Sequence, residues 1–144
     1  MKDFVQQAET FAREIHLHQK RHFGNDKGKP YIVHPERVQA NFDDPFLKAV
    51  SWLHDVVEDS DCTLDDLKEK GFPIEVIHGV NGMTRREGES YHKYIVRVKV
   101  NQFALPVKIA DIKDNLKSLP SNKKVMRDKY ELALYILMVK QICS

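Results

Sequence analysis

The stretch His54-Asp55-Val56-Val57-Glu58-Asp59 places an imidazole and three carboxylates within six positions. On a helix, residues four apart share a face, so His54 lies beneath Glu58 and Asp55 beneath Asp59. Like charges stacked in this way repel unless a cation compensates them. Asp, Glu and His together form the donor set of a hard or borderline divalent metal. A solvated helix end with its charges facing water explains this string, taken alone, equally well.

Two more places supply the same chemistry. Val33-His34-Pro35 sets an imidazole at the mouth of a short helix, because proline is favoured at the first helical position. Asp111 interrupts the apolar series Val107, Ile109, Ala110, Ile112 and Leu116, and is therefore expected to be at least partly buried. A buried carboxylate needs a partner, here either a metal or Lys108. Lys108 and Asn115 project on nearly the same side as Asp111, at offsets of three and four.

Helices must carry these groups. Phe4, Ala8, Phe11 and Ile15 recur at helical spacing and predict a helix over about 3–22, ended by the turn-rich stretch 24–30. Asp44-Pro45 opens a well-patterned helix running through the HD string to about Ser60. Thr63 and Asp66 resemble a capping box, and Gly71 is placed to end that helix. Further helices are expected over 73–80, from Tyr91 through Val98, from near Pro106 to just before Pro120, and over 122–142. Two stretches, Ile74–Val80 and Tyr94–Val100, could pass as strands on propensity, but no sustained two-residue alternation occurs and an all-α fold is expected.

A chain of 144 residues predicts one domain over 1–144. With 23 Lys and Arg against 21 Asp and Glu, the net charge of +2 gives no general attraction to nucleic acid or membrane, so an anionic ligand must be drawn by local charge. Cys62 and Cys143 are far apart, which argues against a disulfide framework and fits a reducing cytoplasm. The N-terminus lacks the pattern of a signal peptide, and no segment approaches a bilayer-spanning length. The oligomeric state is left open, a homo-oligomer included.

Taken in order, the motifs HxxQxR (His16 to Arg21), PYIxHP (Pro30 to Pro35), LHDxxED (Leu53 to Asp59) and IADxxxN (Ile109 to Asn115) resemble the hydrolase domain of RelA/SpoT-type alarmone enzymes. The resemblance spans roughly residues 8–119 and is nearest to the small stand-alone proteins of the HD superfamily. It implies a single-domain helical bundle that hydrolyses a phosphoester or pyrophosphoester using water activated by one divalent cation, usually manganese. Under it, His34, His54, Asp55 and Asp111 are the metal ligands, and Glu58 with Asp59 positions or activates the attacking water. Arg21 packs on a nucleotide base, Asn115 meets the sugar, Ser118 lines the same pocket, and Lys108 is available to hold phosphates.

The implied substrate is a nucleotide, guanosine tetra- or pentaphosphate, which would lose its 3′-pyrophosphate. Two departures bear on that specificity. His22 stands where the family often has lysine, and the loop from Phe23 to Lys29 is longer than is common. The length leaves no room for a synthetase, TGS or ACT region, so hydrolysis without synthesis is the expectation. An HD enzyme for another (deoxy)nucleotide or a dinucleotide phosphate, or a nucleotide-sensing module without turnover, would share the same motifs.

Other residues have plainer readings. Trp52 is expected in the core. His16, His18 and His22 do not share one helical face, so His16 is read as structural and His18 as exposed. Arg85, Arg86, Lys93 and Arg97 could grip phosphates, but a solvated surface run is the more common use of such residues.

Overall fold

The structure, a computed structural model, describes residues 3–22 and 24–140. These form eight α-helices: α1 (Phe4–Ile15), α2 (Val33–Gln39), α3 (Pro45–Leu53), α4 (Leu64–Glu69), α5 (Ile74–Met83), α6 (Tyr91–Lys99), α7 (Leu105–Ser118) and α8 (Lys124–Met138). A single 3₁₀ turn, Gly24–Asp26, precedes α2. No strand occurs among the described residues, and the only β-type pairing there is an isolated bridge between Lys20 and Pro30. No helix among them is long and apolar enough to cross a membrane. Phe23 and Cys143 lie outside the described residues.

Several boundaries follow from local chemistry. The Asp44 carboxylate accepts from the N–H groups of Phe46 and Leu47, with Pro45 in the first turn of α3. At α4, Thr63 and Asp66 bond reciprocally as a capping box. Pro106 sits in the first turn of α7, where its missing N–H costs no helical bond.

Helix α3 is the hub. Its consecutive residues Ala49 through Leu53 are all buried, as expected for a helix enclosed on every side. It packs against α1, α2, α5 and α7, while α2 and α8 flank α7. Trp52 is in this core, with the Arg13 guanidinium over its ring at 5.2 Å from the centroid.

Two helices are shorter than their patterns predict. The first ends at Ile15 and not near 22, because the chain turns at His16 and the following residues bond across the loop: Arg21 N–H to Lys29 O, Tyr31 N–H to Gln19 O. Helix α3 ends at Leu53, so His54 through Asp59 form a series of turns instead of a helical face. The Ser51 carbonyl, which a continuing helix would pair with the Asp55 N–H, accepts the His54 Nδ1–H at 2.6 Å. One helical bond survives in this segment, from Asp59 N–H to Asp55 O.

Candidate functional site

Three elements bring His34, His54 and Asp111 to one point. His34 lies in the first turn of α2, His54 follows α3, and Asp111 faces inward at mid-α7; all three are buried. His34 Nε2 lies 2.8 Å and His54 Nε2 3.6 Å from Asp111 Oδ1. One donor atom from each residue falls within 4.8 Å of the other two, close enough to share a cation. The imidazoles meet edge to face, with centroids 5.3 Å apart.

Electrostatics show what the cluster lacks. Burial alone would lower the His54 pKa, yet the adjoining Asp55 and Asp111 carboxylates raise it well above the ordinary imidazole value. Burial opposes ionisation of Asp111 too, but Lys108 and the two histidines hold its carboxyl well below the usual range. The pocket therefore calls for positive charge. His54 Nε2 is buried and makes no hydrogen bond of acceptable geometry, although Asp55 Oδ2 lies 3.0 Å away. An orphaned nitrogen among carboxylates is an arrangement that a divalent cation completes, so the donor set fits such an ion.

Asp55 stands beside the triad and contacts it through His54. Its carboxylate also accepts the Tyr31 hydroxyl proton. Asp111 pairs with Lys108 Nζ at 2.9 Å, the ammonium partner anticipated for it, and the same carboxylate meets His34 and His54.

Outside the triad opens a cavity of about 710 Å³, lined by Arg21, Tyr31, His34, Asp55, Asp59, Lys108, Asp111 and Asn115 among others. Arg21 and Asn115, expected to share a cleft with Asp111, do so, and Arg21 Nη2 donates to Asn115 Oδ1 at 3.0 Å. Asp59 is on the solvent side. Loss of solvation, then the charges of Asp55 and Glu58, push its pKa up to about 6.

Two predicted residues lie elsewhere. Glu58 is not on the cavity wall, and its Oε1 accepts the Arg85 N–H at 2.5 Å. Burial raises its pKa, with the Arg85 bond opposing. Ser118 follows Asp111 by seven residues, about 10 Å along the helix axis, which carries it past the cavity. There its buried hydroxyl donates to Asp26 Oδ2 at 2.6 Å and borders a different cavity with Arg37 and Asp114.

The other basic residues divide. Arg97 is committed to a fork with Glu89 at 2.8 Å through both arms, while Arg86 and Lys93 are exposed. His16 is buried, bonding Gln19 through Nδ1 and packing on Tyr31, and His18 is exposed on the cavity rim. Sequence reasoning assigned no role to Tyr31 or Asp114. Tyr31 lies within PYIxHP and Asp114 within IADxxxN, so the available signal was their position inside those motifs.

No protein-family model matches the chain. It is 31% identical over 146 residues to a guanosine-3′,5′-bis(diphosphate) 3′-pyrophosphohydrolase of Aquifex aeolicus, covering 89% of this chain and 20% of that protein. It is 33% identical over 145 residues to a probable GTP pyrophosphokinase of Mycobacterium leprae, covering 89% and 18%. Escherichia coli bifunctional (p)ppGpp synthase/hydrolase SpoT is 27% identical over 148 residues, covering 89% and 20%. The chain thus spans about one fifth of the length of the curated relatives it matches. Among solved structures, a metazoan ortholog of SpoT that hydrolyzes ppGpp superposes with a TM-score of 0.75 at 23% identity, covering 95% of this chain and 84% of that one. Over most of its length the chain is thus similar to part of these guanosine bis(diphosphate) hydrolases and synthases, and its fold is the helical fold of the metazoan SpoT ortholog.

Proposed function

We propose that the chain is a metal-dependent phosphohydrolase of the HD type, forming one domain, that removes the 3′-pyrophosphate of guanosine tetra- or pentaphosphate. The observation that carries this reading is the meeting of His34, His54 and Asp111 at one buried point on the wall of a nucleotide-sized cavity. Similarity to relatives such as the Aquifex aeolicus guanosine-3′,5′-bis(diphosphate) 3′-pyrophosphohydrolase supports the same assignment. In this reading the triad, with Asp55 as a fourth ligand, holds one divalent cation, which we take to be manganese. When bound, such an ion neutralises phosphoryl charge and lowers the pKa of water.

The remaining steps belong to side chains. Arg21 offers a flat guanidinium to the base and Asn115 a hydrogen bond to the ribose, fixing the 3′ end over Asp111. Lys108 supplies positive charge to a phosphate. Water attacks the phosphorus bonded to the 3′ oxygen, the P–O3′ bond breaks, pyrophosphate is released carrying the oxygen of the water, and the departing 3′ oxygen takes up a proton. Asp59, on the cavity wall, accepts the proton from water. Glu58, tied to the Arg85 backbone, steadies the turn that presents Asp59.

Purified protein with Mn²⁺ is expected to release pyrophosphate from guanosine tetraphosphate and to leave GTP largely intact. Faster cleavage of a deoxynucleotide or dinucleotide phosphate would retain the metal site and overturn the alarmone assignment. Binding of guanosine tetraphosphate without any turnover would make the chain a sensor.

A further inference from the structure

A metal-binding imidazole is only as good as the group that holds its other nitrogen. For His54 that group is the Ser51 carbonyl, which can only accept, so Nδ1 carries the proton and Nε2 is left to bind. For His34 it is a carboxylate: Asp114 Oδ2 lies 2.7 Å from His34 Nδ1, with both side chains buried. We propose that Asp114, clamped by Arg37, is a positioning residue that holds the Nδ1–H of His34 and so fixes Nε2 as its ligand atom. The inference rests on the metal reading given above.

The clamp is built in depth. Arg37 Nε donates to Asp114 Oδ1 at 2.7 Å and Nη2 to Asp114 Oδ2 at 3.0 Å, a two-point grip that fixes the plane of the carboxylate. Arg37 also donates to Asp26, which accepts the Ser118 hydroxyl. Asp26 is carried in by the 3₁₀ turn. That turn approaches the end of α7 so closely that a Cβ on Gly24, whose φ is +70°, would fall 1.6 Å from the Ser118 carbonyl oxygen. Only glycine permits both the approach and the dihedral. The long 24–29 loop and Ser118 therefore buttress His34 from behind, away from the cavity. A carboxylate adds what a carbonyl cannot, a full negative charge that makes the imidazole a stronger donor to a cation.

Calorimetric titration with Mn²⁺ compares wild type, Asp114→Asn and Asp66→Asn, the last weakening only the remote α4 capping box. Asp114→Asn is expected to lower Mn²⁺ affinity about ten- to a hundredfold, and Asp66→Asn to leave it unchanged. In parallel, long-range ¹H–¹⁵N spectra of Zn²⁺-loaded wild type should show His34 protonated at Nδ1, a readout that stands even if Asp114→Asn does not fold. Unchanged affinity in Asp114→Asn, equal loss in Asp66→Asn, or a His34 proton on Nε2 would each overturn the positioning role. Wild-type protein that takes up neither ion would overturn the metal reading itself.

Discussion

The two halves of the candidate site are built differently. His34 and Asp111 sit on packed helices and are buried, His34 held by Asp114 and Asp111 by Lys108. Glu58 and Asp59 sit on turns after α3 on the solvent side, where Glu58 Oε1 accepts the Arg85 N–H and the Asp59 carbonyl accepts from Gln19 Nε2. Holding an ion demands fixed donors in a dry place, whereas moving a proton demands a group whose charge can change without tearing the fold. The difference separates a rigid wall from a titratable rim.

The sharpest way to break this contrast is Asp111→Ala. Removing the carboxylate leaves the Lys108 ammonium buried without its partner, so the cost is about 3–5 kcal/mol of stability together with loss of bound metal. Denaturant unfolding and metal analysis of the purified variant check both. A variant that retains the ion would show that Asp111 is a structural counter-charge only.

Asp59→Ala should do the reverse. Turnover falls on the order of a hundredfold, while metal content and unfolding midpoint stay near wild type; Glu58→Ala should have the smaller effect, since Glu58 is off the cavity wall. Steady-state rates beside metal analysis separate the cases. Loss of metal in Asp59→Ala would make that residue a holder of the ion.

The smallest effect is a pH dependence. Asp59 has a folded pKa of about 6, above its ordinary value of 3.8, so its contribution to stability is complete below about pH 4 and is lost as pH rises through 6. Asp59→Asn should remove that loss, making the melting temperature of metal-free protein fall less than wild type between pH 4 and 6. Because neighbouring negative charge is part of the cause, adding a divalent cation should draw the Asp59 carboxyl titration, followed by ¹³C NMR, toward lower pH. An Asp59 titration that ignores the cation would place it too far from the triad to serve the same reaction.

Caps and stripes were legible because they are local: Asp44 before Pro45, Thr63 with Asp66, and the apolar spacing of α6 and α7 bear on bonds within a turn or two. The helical extension through His54–Asp59 was misread for a reason that is also local but not periodic, since one imidazole bonding back to Ser51 ends the helix while the apolar pattern continues.

By itself the sequence determined the all-α class, the types of donor available and the motifs that link the chain to alarmone enzymes. It could not decide which donors meet, because His34 and Asp111 are 77 residues apart and their contact depends on how α2 packs across α7. Nor could it separate Asn115, which faces the cavity, from Asp114, which faces away and grips His34 from behind. Adjacent residues on a helix point about 100° apart, and only the neighbours that α7 finds in the tertiary structure give each direction its meaning.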